Sequence, residues 1–320
     1  KIAHTFLESH NEINSSKILA ISSLTKKSPN ELSSRFNISN DYFFNNYDDL
    51  LKCKEINAVY IATLNNTHAK IINKAIDANK HILCEKPLSI NYKEANEVYN
   101  KLSKSNNFFL EAYAYRSHPQ THALCELITN KEIGIINKVV TSFGYKSKKI
   151  NPKSRIFNKE LGGGAILDVG CYTSSLSLLI AKTTGVKDLS NFQLKNIKRS
   201  FSITGVDDEA EADLFFNNDI KFKLKASIKN QMENICTIYG SKGKIVIKSP
   251  WLPERKCFIE VYREKSYYKK FINSDYSVYA NQIFSFNNNI LEINKNTQKT
   301  LMTPKDSLIN LNIIDQWKNI

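Results

Sequence analysis

The first 133 residues of this 320-residue chain contain no glycine, and all ten glycines lie at or after Gly134. Glycine lets a backbone turn tightly and approach a phosphate group closely. A glycine-rich loop of the kind that binds dinucleotides is therefore absent from this region. Taken alone, this absence argues against a nucleotide-binding fold in the first half of the chain.

The chain also lacks features of membrane, secreted and metal-binding proteins. No stretch approaches the roughly 18 consecutive apolar residues that a transmembrane helix needs, and no secretory signal pattern follows Lys1. The six cysteines are scattered, without a C-x-x-C pair or the spacing of zinc ligands. We expect a cytoplasmic protein with reduced thiols, no membrane contact and no metal.

Positive charge is in excess, since 45 lysine and arginine residues against 31 acidic residues give a net charge of +14 and a pI of about 9.3. Such a balance suggests nucleic acid or an acidic membrane as a partner. Lysine, asparagine and isoleucine are, however, abundant in every region, which is typical of codon bias. The chain also lacks a helix-in-groove, RRM or OB signature, so we expect no nucleic-acid partner.

Apolar segments of strand length alternate with segments of helical period through the first 115 residues. The strand candidates are nearly continuous apolar runs, as expected where both faces of a parallel sheet are covered: 17–22, 58–63, 81–86 and 108–113. Helices are predicted to start at Ser28, after Thr67 and at Asn91, where Asn91 and Glu94 can form a capping box. Repeated units of this kind predict an α/β fold with a doubly wound parallel sheet.

From Glu209 onwards, apolar and charged residues alternate, which is typical of an antiparallel sheet with one buried face. A loop at 217–219 sets a register that pairs apolar residues on one face and opposite charges on the other: Leu214 with Phe222, Ala212 with Leu224, Asp213 with Lys223, and Glu211 with Lys225. A second hairpin is predicted to turn at 240–243. We therefore predict two domains, 1–114 with the parallel sheet and 115–320 with a large, mainly antiparallel α+β sheet.

Lys86 stands where a buried strand ends, within Glu85-Lys86-Pro87. Because proline disfavours a helical conformation in the residue before it, Lys86 should be held extended at the carboxyl end of a parallel strand. Open α/β sheets bind their ligands at that edge. The alternative is a solvated lysine at a strand end.

A second chemical candidate is the segment 162–172, GGGAILDVGCY. Its three consecutive glycines allow a close approach to a ligand or to a neighbouring element. The helix that follows would place Asp168 and Tyr172 on one face at i, i+4 spacing, where a carboxylate beside a phenol could transfer a proton. Such a pair also occurs by chance, so this prediction depends mainly on the glycines.

A third candidate is the segment 58–68, where a buried strand runs into a polar turn and a helix amino terminus. Such a junction suits the polar or anionic edge of a cofactor. His68 could equally be a surface residue in the first turn of the helix.

These three segments, in this order, resemble the motifs of the Gfo/Idh/MocA family of NAD(P)-dependent oxidoreductases, and most closely its dihydrodiol and xylose dehydrogenase-like branch. The family's A-V-Y-I-A-T-P-N-x-x-H motif is similar to 58–68, with Leu64 in place of the proline. Its E-K-P signature is similar to 85–87 and its glycine block to 162–172. Further similarities extend over the rest of the chain: 111–116 with Pro119, 239–243, and Tyr279 with Gln282.

The resemblance implies a Rossmann-type sheet and hydride transfer between nicotinamide and a carbinol or carbonyl carbon of a sugar, polyol or dihydrodiol. It implies that Lys86 hydrogen-bonds the reacting oxygen and that Tyr172, where many members have histidine, is the general acid/base. Asp168 and Arg155 would bind and orient the substrate, and the ammonium of Lys86 would lower the pKa of the Tyr172 phenol. The implied cofactor contacts are Thr63, Asn65, His68, Glu85, Lys86 and Arg116.

The chain departs from the family pattern at its start. The family begins with a strand and a G-x-G-x-x-[GA] turn that receives the pyrophosphate, whereas this chain opens on a helix-like segment at 1–7. Because the first strand of a doubly wound sheet is central, its loss should leave a gap between neighbours. We hypothesise that about 15 native residues, enough for this strand and turn, precede Lys1, and that the chain without them binds its cofactor poorly.

Cofactor preference is set after the second strand. No acidic residue there is placed to bind the ribose hydroxyls, as NAD specificity usually requires. Ser22 and Ser23, with Lys26 or Lys27, could instead hold a 2′-phosphate, although Leu24 stands where NADP-using members often have arginine. We predict NADP(H) as the favoured cofactor, with NAD(H) possible.

The leading hypothesis is a cytoplasmic NAD(P)-dependent dehydrogenase or reductase acting on CH–OH groups of a small molecule, and a homodimer through its C-terminal sheet. A non-catalytic dinucleotide or sugar sensor on the same fold is the alternative, and intact Lys86, Asp168 and Tyr172 argue against it. A third hypothesis, nucleic-acid binding through charge alone, predicts a steeply salt-dependent affinity.

Overall fold

Strands and helices alternate up to Thr129, and strands dominate the rest of the chain. The structure is a computed structural model that describes residues 2–24, 36, 38–216, 220–291 and 299–319. The strands are β1 (Ile21–Ser22), β2 (Phe43–Phe44), β3 (Ala58–Ile61), β4 (His81–Cys84), β5 (Phe109–Glu111), β6 (Ile136–Gly144), β7 (Phe192–Phe201), β8 (Asp207–Phe216), β9 (Lys221–Ser227), β10 (Ile235–Gly240), β11 (Gly243–Lys248), β12 (Lys256–Arg263) and β13 (Ser266–Asn273). The α-helices are α1 (Ile2–His10), α2 (Tyr47–Lys52), α3 (His68–Asp77), α4 (Tyr92–Leu102), α5 (Pro119–Thr129), α6 (Cys171–Thr183), α7 (Val278–Ile290) and α8 (Pro304–Asn319).

The N-terminal strands pair in parallel, as predicted. β1 pairs with β2, and β3, β4 and β5 pair in that order. The predicted strand at 17–22 is reduced to Ile21–Ser22. Thr63 and Lys86, at the ends of two predicted strands, lie in the loops beyond β3 and β4. Those loops are where a parallel sheet places its binding groups.

The parallel sheet is divided into two parts. Among the described residues, no strand joins β1 and β2 to β3, β4 and β5. Phe6 of α1 stacks on Tyr60 of β3 with ring centroids 3.8 Å apart, so α1 packs against the three-stranded part.

The predicted helix starts after Thr67 and at Asn91 are confirmed. The Asn91 side chain accepts a hydrogen bond from the main-chain N of Glu94 and caps α4. Asn79 follows α3 with a φ of 52°, the left-handed conformation that ends many helices. The helix predicted to start at Ser28 lies outside the described residues.

The C-terminal sheet has eight strands in the order β13-β12-β11-β10-β6-β9-β8-β7. All neighbours pair antiparallel except β6 and β9, which run parallel. The predicted register of β8 and β9 is confirmed at all four pairs, including Asp213 opposite Lys223 and Glu211 opposite Lys225. The predicted turn at 240–243 joins β10 to β11, whereas the loop at 217–219 lies outside the described residues.

The charged face of this hairpin is neutralised across its strands. Lys221 Nζ lies 2.8 Å from Asp213 Oδ2, and Lys223 Nζ lies 2.7 Å from Glu211 Oε2. Lys225 also approaches Glu211, at 3.3 Å. Much of the local positive charge is therefore paired within the sheet.

One helical run, Lys159–Thr183, is long and apolar enough by length and composition to cross a membrane, but 94% of its apolar window is buried inside the protein. The run packs as a core element between the two sheets. Buried side chains from both parts, such as Leu83 of β4, Leu178 of α6 and Phe222 of β9, belong to one continuous hydrophobic core. That shared core fixes the loops after β3, β4 and β5 against the start of α6.

Candidate active site

Lys86 lies at the centre of a polar cluster at the carboxyl end of β4. Its Nζ donates a hydrogen bond to the main-chain oxygen of Asp168 at 2.6 Å and lies 3.6 Å from Asp168 Oδ1. The same ammonium lies 4.8 Å from the centre of the Tyr172 ring. The structure thus brings together the three side chains that the sequence assigned to chemistry, from segments more than 80 residues apart.

The Asp168 main chain reaches Lys86 through a π-helix at Ile166–Gly170, not through the α-helix that the sequence suggested. A π-helix widens the hydrogen-bond ring to i→i+5 and often marks a functional site. Asp168 and Tyr172 therefore do not share one face of a regular α-helix, and the i, i+4 prediction was wrong in this respect. Asp207 fixes the start of the π-helix by accepting a hydrogen bond from the Ile166 main-chain N at 2.7 Å.

The Asp168 carboxylate is held by two further donors. Tyr145 OH donates to Oδ2 at 2.7 Å, and Arg155 Nη2 donates to Oδ1 at 2.8 Å. Burial alone would raise the pKa of Asp168, but the positive charges of Lys86 and Arg155 outweigh it and lower the pKa to about 2. Asp168 is therefore a fixed anion that holds two cations at the site.

Tyr172 lies among aromatic side chains. Its ring packs against Tyr113, Tyr115, Phe143 and Trp251, with centroid separations of 5.3 to 6.1 Å. Burial, and then the charge of Glu85, raise the pKa of Tyr172 well above its usual value. The expected lowering of this pKa by Lys86 was wrong, because the ammonium lies over the face of the ring and burial dominates.

Other predicted cofactor contacts lie at the strand ends. Glu85 Oε1 accepts a hydrogen bond from Tyr60 OH at 2.6 Å, and burial raises the pKa of Glu85. Thr63 Oγ1 shares a hydrogen bond with Thr67 Oγ1 at 2.7 Å. Ser22, at the end of β1, has a buried hydroxyl oxygen without a hydrogen-bond partner among the described residues, and its neighbour Ser23 is exposed.

His68 and Arg116 are buried and bind neighbouring loops, contrary to the cofactor contacts expected of them. His68 is wholly buried, with Nδ1 at 2.8 Å from the Pro87 main-chain oxygen and Nε2 at 3.3 Å from that of Thr63. Arg116 is 1% exposed and donates to Ser175 and to the main-chain oxygen of Thr300. Both side chains hold neighbouring loops together.

Asn65 and the glycine block meet each other. Asn65 is buried, and its Nδ2 donates to the Gly162 main-chain oxygen at 3.0 Å. A Cβ added to Gly162 would lie 2.5 Å from the Ile90 side chain, and one added to Gly163 would lie 2.6 Å from the Ile156 main-chain oxygen. Of the two alternatives for these glycines, the structure supports close approach to a neighbouring element.

Three further residues of the site were missed by the sequence reasoning. Tyr145 follows the last residue of β6 and binds Asp168, Trp251 packs on Tyr172, and Glu111 lies behind Lys86. Tyr145 and Trp251 lie outside every motif and similarity segment, and only the fold brings them to the site. Glu111 stands within a similarity segment, 111–116, but carried no assigned role.

Two family models match the chain. One, described as an oxidoreductase family with an NAD-binding Rossmann fold, matches residues 1–113, and the GFO/IDH/MocA C-terminal domain matches residues 121–246. The chain belongs to the Gfo/Idh/MocA oxidoreductase family. The predicted fold class, family and NAD(P)-dependent oxidoreductase activity are thereby confirmed.

Curated relatives and solved structures agree with this membership. The chain is 28% identical over 238 residues to trans-1,2-dihydrobenzene-1,2-diol dehydrogenase of Xenopus tropicalis, covering 74% of this chain and 69% of the relative. It is 34% identical over 140 residues to an NADP-dependent D-xylose 1-dehydrogenase of Haloferax volcanii, covering 44% and 42%. The aldose-aldose oxidoreductase of Caulobacter crescentus shares the fold with a TM-score of 0.86 at 18% identity, covering 98% of this chain and 92% of that one. A 3-ketoreductase of Actinomadura kijaniata, crystallised with NADP and TDP-benzene, shares it with a TM-score of 0.82 at 20% identity, covering 97% and 91%.

Polar groups of this Gfo/Idh/MocA protein at the ends of its parallel strands suit one part of a dinucleotide. The loops after β3 and β4 present Thr63 and Glu85 at one edge, and the Ser22 hydroxyl, which has no partner in the described part of the chain, lies at the end of β1. These groups suit ribose and nicotinamide.

Proposed function

We propose that this protein interconverts an alcohol and a carbonyl on a sugar, polyol or dihydrodiol, with NADP(H) as the favoured cofactor. The observation that carries the proposal is the assembly of Lys86, Asp168 and Tyr172 around one ammonium at the carboxyl end of β4. When bound, the cofactor supplies the hydride chemistry. The protein must then bind the substrate, hold its oxygen and move one proton.

The proposed roles follow from the contacts of each group. Lys86 has one N–H engaged by the Asp168 main chain, and its remaining N–H groups can donate to the reacting oxygen. Tyr172 is protonated at neutral pH because its pKa is raised, so its phenol can donate a proton to a carbonyl oxygen. Asp168 holds Arg155 and Tyr145 at fixed positions beside the substrate.

The cofactor preference rests on Ser22 and its neighbour. The Ser22 hydroxyl is buried without a partner among the described residues, and Ser23 is exposed next to it. Two serines without an acidic neighbour suit a 2′-phosphate better than a pair of ribose hydroxyls. The lysines expected to complete this site, Lys26 and Lys27, lie outside the described residues. Comparable turnover with NAD(H) would contradict the preference.

The substrate class is drawn from the relatives. Their names indicate diols and aldoses, which are small polyhydroxylated molecules with a carbinol carbon. The half-buried rings of Phe143 and Tyr172 could pack on the apolar face of such a molecule, while Arg155 binds its hydroxyl groups. We propose a division of labour in which residues 1–114 bind the cofactor and residues 115–320 bind the substrate.

The test is turnover by two variants with matched controls. Lys86→Ala and Tyr172→Phe should each lower kcat at least a hundredfold, because each removes a donor to the reacting oxygen. Cofactor affinity, measured by fluorescence titration, should be largely kept. Lys93→Ala and Tyr99→Phe, on the partly exposed surface of α4, should leave kcat unchanged.

Two outcomes would contradict the proposal. Near-normal turnover in both variants would refute the assigned roles. Cofactor binding by the wild-type protein without turnover of any aldose, polyol or dihydrodiol would favour the sensor alternative.

Cellular location and assembly complete the proposal. All six cysteines are free thiols, which suits the reducing cytoplasm.

At the β12–β13 end of the large sheet, Phe271 is 75% exposed beside Phe258, and Tyr262 packs on Tyr267. We propose this aromatic face as part of a homodimer interface. Sedimentation should give a dimer mass for the wild type and a monomer mass for Phe271→Lys, and a monomeric wild type would refute the interface.

A further inference from the structure

A buried carboxylate that the proposed chemistry does not use lies directly behind Lys86. Glu111 ends β5, pairs in register with Cys84 of β4, and is 1% exposed. Its Oε1 accepts a hydrogen bond from the Leu88 main-chain N at 2.7 Å. Since Leu88 is two residues from Lys86, Glu111 holds the turn that carries the reactive ammonium.

The same turn is held from its other side by His68. Burial lowers the pKa of His68, so the ring is neutral at neutral pH and carries one proton. With that proton on Nδ1, the ring donates to the Pro87 main-chain oxygen at 2.8 Å. Two buried side chains therefore fix the backbone just after Lys86.

The second oxygen of Glu111 is the unusual feature of this arrangement. Oε2 lies beside the Ser307 hydroxyl, and among the described residues these two groups have no other hydrogen-bond partner. Burial raises the pKa of Glu111 to about 7, while Ser307, Leu88 and the nearby cations act in the opposite direction. The ionisable groups that interact with its charge are Lys86, Arg116, Cys84, Tyr113 and Cys171.

We propose that Glu111 is a positioning residue for Lys86, and that its ionised carboxylate holds the Lys86 turn in the reactive arrangement. A charge-assisted hydrogen bond is about twice as strong as a neutral one, so the turn is held best when Glu111 is ionised. A displacement of about 1 Å in a reacting group can lower a rate by up to a hundredfold. This inference rests on the proposed function.

Two substitutions separate the effect of the length of the Glu111 side chain from the effect of its charge. Glu111→Asp keeps the charge but is one methylene too short to reach the Leu88 N–H, so kcat should fall at least tenfold with little change in KM. Glu111→Gln keeps the acceptor and loses the charge, so its kcat at pH 8 should fall to the level that the wild type shows on the acidic side of its inflection. The wild-type rate should rise through an inflection near pH 7, and Glu111→Gln should lack it. Asp213→Asn, a buried carboxylate of β8 remote from Lys86, should change neither kcat nor the inflection.

A third variant, Ser307→Ala, tests the Glu111 carboxylate without changing Lys86, Asp168 or Tyr172. Ser307 is wholly buried in α8, and its hydroxyl lowers the pKa of Glu111. Ser307→Ala should therefore move the inflection upward by about 0.5–1 pH unit. Thermal unfolding gives a readout independent of turnover, because raising the pH from 5 to 8 should destabilise the wild type relative to Glu111→Gln.

These measurements can overturn the proposal. Wild-type kcat in Glu111→Asp would refute the positioning role, as would an inflection that persists in Glu111→Gln and does not respond to Ser307→Ala. If Glu111→Asp fails to fold, the other two variants decide. A wild-type protein without turnover on any alcohol or carbonyl would refute the proposed function instead, and this would be seen before the variants are compared.

Discussion

Replacing Asp168 by asparagine tests the electrostatic centre of the site. The pKa of Asp168 is lowered from 3.8 to about 2. Since one pH unit corresponds to ~1.4 kcal/mol, its surroundings favour the carboxylate by ~2.5 kcal/mol. Asparagine has nearly the same shape, so Asp168→Asn removes this charge and leaves Lys86 and Arg155, with side chains 13% and 31% exposed, without their anion.

We expect Asp168→Asn to lower the free energy of unfolding by ~2–3 kcal/mol and kcat at least a hundredfold. Urea unfolding followed by tryptophan fluorescence reports stability, because Trp251 packs on Tyr172 and Trp317 is buried in α8. Asp77→Asn is the matched control, since Asp77 pairs with Lys101 on the surface and should contribute little. A variant as stable as the wild type, with normal kcat, would refute the argument that Asp168 organises the site.

Two further predictions concern buried polar groups. Burial raises the pKa of Asp207 to about 6. The protonated carboxyl therefore stabilises the folded protein fully below pH 4, and this stability is lost as the pH rises through 6. Asp207→Asn should be more stable than the wild type at pH 8 by up to ~3 kcal/mol, and equally stable near pH 4. Arg116→Lys should lower the melting temperature and leave cofactor affinity unchanged, because Arg116 donates to Ser175 and Thr300 away from the cleft. A tenfold loss of cofactor affinity at unchanged melting temperature would restore the cofactor contact that the resemblance implied.

Local patterns in the sequence predicted the features of the fold that depend on neighbouring residues, such as strand register and the position of Lys86. The alternation of charge and apolar residues fixed the pairing of Asp213 with Lys223, because a one-residue slip would bury the charged face. The E-K-P segment placed Lys86 at a strand end, since proline limits the residue before it.

The predictions that were wrong concern contacts that depend on tertiary packing. Arg116 matches a similarity segment, but neither motif nor composition states that its guanidinium faces Ser175 instead of a cofactor. The π-helix before Cys171 depends on Asp207, which is 41 residues from Ile166 and reaches it only through the C-terminal sheet. The raised pKa of Tyr172 depends likewise on the aromatic side chains that bury it, such as Trp251. Such contacts have no local sequence signal.

The raised pKa of Tyr172 predicts a difference between the two directions of the reaction. Burial and the charge of Glu85 keep the phenol protonated at neutral pH, ready to donate to a carbonyl oxygen. Alcohol oxidation needs the Tyr172 phenolate as a base. At any pH below the pKa, the fraction of phenolate rises tenfold for each unit by which the pH increases. Above the inflection assigned to Glu111, between pH 8 and 10, oxidation should therefore accelerate without a plateau, while carbonyl reduction should not accelerate with it. Initial rates in both directions across this range check the prediction, with Tyr172→Phe as the variant that should lose the pH-dependent rise in oxidation. A wild-type oxidation rate that stays flat between pH 8 and 10 would mean that another group accepts the proton.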